Sequence, residues 1–115
     1  MALQIEQRDV RPGVTVIALT GRVMLGGEGA RIESLVEKGL KEGRRHFIFD
    51  LAGVTHIDST GLGRFISGLN KARGAGGSLR MAAAAGQVRD AFHVTRLDTV
   101  FKFYDNVEAA LEGLG

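Results

Sequence analysis

A single α/β domain is predicted for this 115-residue chain, and three patterns predict it. Val14 to Thr20 is a β-branched run entered directly from Pro12-Gly13, a strand approached through a tight turn. Phe47-Ile48-Phe49 is apolar at every position, as expected of a central strand covered on both sides. Apolar residues then recur at helical spacing in two separate segments: Ile32, Leu35, Val36 and Leu40, then Leu62, Phe65, Ile66 and Leu69. Strands that alternate with helices give an α/β layer architecture.

Each element follows in order. Leu3 to Arg8 alternates apolar and polar residues and pairs with Val14–Thr20 as a hairpin across Pro12-Gly13. Gly21 to Gly29 is a glycine-rich loop. The first helix carries Arg31, Glu33, Glu37, Lys38 and Lys41 on its polar faces and ends at Gly43, a good C′ residue. A strand runs from His46 to Leu51 and a short connecting segment from Ala52 to His56. The second helix starts near Ser59 and ends at Gly74–Gly77. Ser78 to Ala83 is a strand weakened by its alanines. Gln87 to His93 is a short helix with Val88, Ala91 and Phe92 turned inward. Val100 to Phe103 is the last strand, and Asp105 or Asn106 caps a final helix through Leu111. Tyr104 and the phenylalanines read as core. The pattern contains no linker, internal repeat or second domain, so residues 1–115 form one domain.

Composition narrows the function classes. Fifteen Lys and Arg against thirteen Asp and Glu leave a formal charge of +2, with no basic block, so nucleic acid is not the expected partner. Zero cysteines exclude disulfides and thiolate chemistry and fit a reducing compartment. The N-terminus lacks a signal-peptide pattern, and no apolar run approaches the roughly 20 residues a membrane span needs. The expectation is a soluble cytoplasmic protein. His46, His56 and His93 have no companion at metal-ligand spacing, so no metal site is expected. Gly26-Gly27-Glu28-Gly29 lacks the Lys and hydroxyl that a phosphate-binding loop requires, so a flexible loop is the better reading.

The most informative stretch is Ile57-Asp58-Ser59-Thr60-Gly61-Leu62-Gly63 at the start of the second helix. Ser59 and Thr60 are N-cap residue types, and a hydroxyl there faces solvent where the helix dipole favours negative charge. The position can accommodate a phosphate on that hydroxyl, which makes it a candidate switch; a plain structural cap is the alternative. Asp50 and Asp58 have no nucleophile–histidine arrangement around them, so no enzyme is expected.

Asp50-Leu51-Ala52-Gly53-Val54-Thr55-His56-Ile57-Asp58-Ser59-Thr60-Gly61-Leu62-Gly63 resembles the signature of bacterial anti-sigma factor antagonists, which are single STAS domains. The resemblance continues through Leu19-Thr20-Gly21, Gly74-Ala75-Gly76-Gly77 and Val100-Phe101-Lys102-Phe103-Tyr104. It implies a mixed, mostly parallel sheet with an N-terminal hairpin strand and about four helices. It also implies that the first hydroxyl after the signature Asp, here Ser59, is the phosphoacceptor, with Thr60 the competing position.

By this resemblance, the unphosphorylated form binds an anti-sigma factor serine/threonine kinase of the GHKL type and frees a sigma factor. The kinase phosphorylates Ser59 and ends the interaction, and a protein phosphatase resets it. The chain itself is substrate and switch, with no cofactor of its own. Asp58 orients the turn or meets the kinase in the family's manner; an Asx-type turn is the bland alternative. Gly61 and Gly63 allow close backbone approach to neighbouring structure or to a partner, with Leu62 between them. Arg64, Ser67 and Lys71 fall opposite the apolar stripe and are expected in solvent, either as a solvated face or, together with Thr60, as partner contacts. Gly21-Arg22-Val23-Met24 departs from the acidic residues that sporulation-type members carry after this glycine, which bears on partner choice. Two other readings stay open: a constitutive STAS interaction subunit of a transporter or signalling complex, and a nucleotide or small-ligand sensor.

Overall fold

The hairpin comes first, as expected. In the computed structural model, which describes residues 3–24 and 30–114, β1 (Gln4–Arg11) and β2 (Val14–Val23) pair antiparallel from Gln4 opposite Thr20 to Arg11 opposite Val14. Strands β3 (His46–Ile57), β4 (Ser78–Ala82) and β5 (Lys102–Tyr104) add in parallel, giving the order β1-β2-β3-β4-β5. The fold is a mixed α/β domain with one antiparallel edge strand. The Gly26–Gly29 loop reading lies outside the described residues.

Strand β3 continues six residues past the predicted end at Leu51. Ala52-Gly53 looks like a breaker in the sequence, yet the chain stays extended because register shifts between Ala18 and Thr20 and between Gly21 and Arg22 absorb the irregularity. A Cβ on Gly53 would stand 2.7 Å from Thr20 Oγ1 and 2.9 Å from the Leu19 carbonyl, so the glycine is what permits β2 and β3 to approach there. On the other side, β4 pairs only with His46 to Asp50. The last residues of β3 therefore run on without a β4 partner.

Helices α1 (Arg31–Lys41), α2 (Ser59–Gly74) and α3 (Gly86–Val94) cover one face of the sheet. Their Ile32, Val36, Leu62, Phe65, Leu69, Val88 and Phe92 bury against Phe47, Phe49, Leu51, Leu79 and Met81. Phe92 is the hub of the aromatic part of this core, with ring centroids 6.1 Å from Phe65, 5.6 Å from Phe101 and 5.1 Å from Phe103. The α1 C-cap is Glu42, followed by Gly43 as predicted.

The opposite face is covered by α4 (Val107–Ala110), whose Ala110, with the following Leu114, seals Val14, Val16, Ile48 and Ala82. Asn106, not Asp105, is its N-cap and accepts from the Ala109 N–H at 2.8 Å. The helix stops one residue short of the predicted Leu111. Arg11 donates to the Leu111 and Leu114 carbonyls, and Arg80 to those of Ala110 and Glu112, so two cations hold the free carbonyls at its C-terminal end.

The predicted strand Val100–Phe103 is displaced. Leu97–Thr99 forms a 3₁₀ turn, Val100 is exposed, Phe101 plugs the core, and the strand itself is Lys102–Tyr104. Phe103 and Tyr104 are half-buried, and Tyr104 lies under the Arg80 guanidinium at 5.4 Å.

Candidate functional site

The turn between β3 and α2 is held from three directions. The Asp58 N–H donates to the Val23 carbonyl at the end of β2, 3.3 Å away. The Asp58 carboxylate accepts from the Gly61 N–H at 2.8 Å, and its carbonyl accepts from Leu62 N at 2.9 Å. From α3, the Gln87 carboxamide accepts from the Ile57 N–H at 2.9 Å and donates to the Ile57 carbonyl at 3.0 Å. The N-cap is thus Asp58, which corrects the reading of Ser59 or Thr60 as the cap. Ser59 is the first residue of α2 and exposed; Thr60 is the second and half-buried. With Asp58 capping, the Ser59 hydroxyl is released from structural duty and left at the surface.

The other predicted residues divide by environment. Gly61 is buried and packed against the Val23 carbonyl, whereas Gly63 is exposed with open space beside it. Leu62 is 6% exposed and belongs mainly to the core. Arg64, Ser67 and Lys71 are not a solvated face. Arg64 Nη1 and Ser67 Oγ bind the two Glu33 carboxylate oxygens at 3.0 and 2.8 Å, and Lys71 Nζ lies 3.5 Å from Glu37. The apolar stripe alone could not reveal this, because α1 packs beside α2 and brings its acids to those positions. Hydrogen bonds from Arg64 and Ser67 hold the Glu33 carboxyl below its ordinary value of 4.5.

A groove of about 310 Å³ opens beside Ser59, between the start of α2 and α3. Ile57, Leu62, Ala91 and Val94 give it an apolar floor, and Asp58 and Asp90 put carboxylates on its rim. Val94 is 76% exposed, the most exposed large apolar side chain among the described residues. Sequence reasoning missed Gln87, Asp90 and Val94. Val94 lies one residue beyond the predicted helix end, and only the folded chain brings α3 beside Ser59.

A second polar cluster sits at the opposite end of the sheet. Asp9 accepts from Thr15 Oγ1 at 2.7 Å and from Arg44 Nε and Nη2 at 2.6 and 2.8 Å, and Arg44 also pairs with Glu42. These bonds hold the Asp9 carboxyl far below its usual range, mainly through Arg44 and then Thr15. This clasp ties the β1–β2 turn to the start of β3. His46 binds Ser78 Oγ, His56 binds Thr55 Oγ1 and His93 binds Asp98. Among the described residues, no three His, Asp or Glu side chains converge as a metal site would require. No helix among them is long and apolar enough to cross a membrane.

The model of the STAS domain family matches residues 7–110. The chain belongs to the STAS family. Several solved structures share this STAS fold. An anti-sigma factor antagonist from Mycobacterium paratuberculosis superposes with a TM-score of 0.82 at 22% identity, covering 96% of this chain and 92% of that one. A sulfate transporter family protein from Wolinella succinogenes gives 0.78 at 19% identity, with 90% and 86% covered. The Bacillus anti-sigma factor antagonist SpoIIAA, in its unphosphorylated form, gives 0.72 at 16% identity with 91% of each chain covered, and it has also been solved phosphorylated. At these identities the likeness establishes the fold.

Proposed function

We propose that this STAS domain is an anti-sigma factor antagonist switched by phosphorylation of Ser59. The observation that carries the reading is the division of labour at the α2 start: Asp58 makes the cap, and the adjacent Ser59 side chain is exposed at the rim of an apolar groove. The unphosphorylated protein binds an anti-sigma factor serine/threonine kinase of the GHKL type and so frees a sigma factor in the cytoplasm. The kinase transfers a phosphoryl group from ATP to the Ser59 hydroxyl, and a phosphatase removes it. The partner contacts in this reading are Asp58, Thr60, Leu62 and Gly63 around that hydroxyl; Gly61 packs on the Val23 carbonyl, and Arg64 and Ser67 are held by Glu33.

The electrostatics favour release on phosphorylation. Two carboxylates, Asp58 and Asp90, already line the groove beside Ser59. A phosphate adds about −1.5 to −2 charges there, which a partner fitted to the unmodified surface meets as repulsion and desolvation. The domain serves as substrate and switch without catalysing a reaction itself. Intact mass spectrometry with peptide mapping, on protein from its native host, tests this. One phosphoryl group on Ser59 supports the reading, and phosphate on Thr60 moves the site by one residue. A partner cycle that persists in a Ser59→Ala, Thr60→Ala double variant overturns it.

One observation favours a second reading. A sulfate transporter family protein shares this fold with a TM-score of 0.78, beside 0.82 for the mycobacterial antagonist, so a constitutive interaction subunit of a transport complex is the competing role. Ser59 unmodified under every growth condition, together with steady capture of a transporter component, selects that alternative.

A further inference from the structure

We infer that Gln87 is the positioning residue of the Ser59 switch, its carboxamide standing in for the missing strand beside the end of β3. This inference rests on the reading of Ser59 as the switch. The N–H and C=O of one strand residue point to the same edge, and at Ile57 that edge faces away from β2, where β4 has already ended at Ala82 opposite Asp50. Gln87 fills the gap. It presents one acceptor and one donor with the spacing of a neighbouring peptide group, at 2.9 and 3.0 Å, and satisfies both Ile57 groups at once.

The consequence reaches Ser59 through two residues. Ile57 is 3% exposed and fixed in the core, Asp58 follows as the cap, and Ser59 follows Asp58. The backbone of this turn is held on the β2 side by Val23 and on the α3 side by Gln87. Removing the carboxamide leaves Ile57 with an unpaired donor and acceptor at the groove edge and frees the turn to rotate. Gln87 also comes from the first turn of α3, the helix that carries Asp90 and Val94. One side chain therefore sets both the presentation of Ser59 and the seating of the groove wall opposite it.

Chemistry offers a reversible test in the Gln87→Glu variant. A protonated glutamic acid has the same pair of functions as the carboxamide, one carbonyl acceptor and one O–H donor; the ionised form has acceptors only and faces the Ile57 carbonyl. Asp58 and Asp90 are the titratable groups lining the same groove, and both oppose ionisation of that carboxyl. The measurement is NMR of the full chain, following the hydrogen-exchange protection factor of the Ile57 amide and the ¹⁵N order parameters of Asp58 to Thr60. Protection is read as the ratio of variant to wild type at each pH from about 4 to about 7, a span that crosses the ordinary glutamate pKa of about 4.3. Gln87→Glu matches wild type at the low end and loses at least about tenfold in protection at the high end, as the loss of a paired backbone group predicts. Gln87→Met, of similar length and with neither a donor nor a strong acceptor, shows the loss at every pH. In both open states the order parameter of Ser59 falls while that of Phe65, deep in α2, does not.

Unchanged Ile57 protection and Ser59 order in Gln87→Met overturn the inference, as does a Gln87→Glu variant that fails to recover at low pH. A Gln87→Met variant that loosens the whole domain, Phe65 included, assigns Gln87 an ordinary structural role. None of these readouts involves a phosphate, so failure of the phosphorylation reading, judged by mass spectrometry, stays separate from failure of this one.

Discussion

Gly61 meets the Val23 carbonyl so closely that no larger residue fits between α2 and the end of β2. A Cβ at position 61 would fall inside the van der Waals envelope of Val23 O and 2.8 Å from Ile57 Cγ1. Two residues along the same helix, Gly63 has nothing within 4 Å of its own Cβ position.

The two glycines should consequently respond in opposite directions. Gly61→Ala forces backbone against backbone at a buried position and is expected to cost about 1–3 kcal/mol. Gly63→Ala adds a methyl group in open space on a helix and should stabilise by about 0.5–1 kcal/mol. Urea unfolding of the two variants checks this. Equal effects would mean that α2 does not dock on Val23 as described.

Asp58 should be replaceable by geometry more readily than by charge. Its role at the helix start is to accept from the Gly61 N–H, which an asparagine carbonyl does equally well. Asp58→Ala is expected to lose about 1 kcal/mol, and Asp58→Asn no more than about 0.5 kcal/mol. If Asp58→Asn instead proves as damaging as Asp58→Ala, the charge and not the cap is what the turn requires.

Glu33 gives stability a pH dependence whose sign follows from its environment. Arg64 first, and Ser67 second, hold its folded-state carboxyl below the ordinary 4.5. A group depressed on folding contributes its stability in full above the unfolded value and loses it as pH falls from there through the lower folded value. The Asp9 clasp acts in the same sense, through Arg44 and Thr15, below its ordinary 3.8. Urea midpoints should therefore hold level down to about pH 5 and fall below it, as for any paired carboxylate. Glu33→Gln should show a shallower acid decline than wild type. An acid limb identical to wild type would show that the Glu33–Arg64 contact contributes nothing on folding.

The strand and helix order was legible because each element carries its period in its own residues. Phe47-Ile48-Phe49 declares a doubly covered strand, and Leu62, Phe65 and Leu69 declare the buried face of α2; both hold in the fold. The signature Asp58-Ser59-Thr60 also marked the start of α2. What escaped notice depends on partners distant in sequence. The polar face of α2 looks solvated until α1 supplies Glu33 and Glu37. The extension of β3 through Ala52 and Gly53 depends on extra β3 residues bulging against β2 between Asp50 and Gly53 and between Val54 and His56, and the capping role passed from Ser59 to Asp58 through a single backbone register. Gln87, Asp90 and Val94 carry no local signal at all, since a short helix with one amide and one exposed valine is unremarkable until it lies beside Ser59.

That placement makes Val94 a separable test of the groove. It is 76% exposed, so Val94→Asp should leave stability within about 0.5 kcal/mol of wild type, as for most surface changes. Burying a valine side chain in an interface is worth about 1.5–3 kcal/mol, and a third carboxylate beside Asp58 and Asp90 adds a desolvation cost under any apolar contact. Capture of the partner from a native-host lysate by immobilised, unphosphorylated protein should therefore fall by at least about tenfold, the equivalent of 1.4 kcal/mol. Ser59→Asp should weaken the same interaction from the other side of the groove, and the double variant should lose less than the sum of the two if one partner residue occupies the space between them. Strict additivity would mean that Val94 and Ser59 meet separate parts of the partner, and full capture by Val94→Asp would remove the groove from the docking surface altogether.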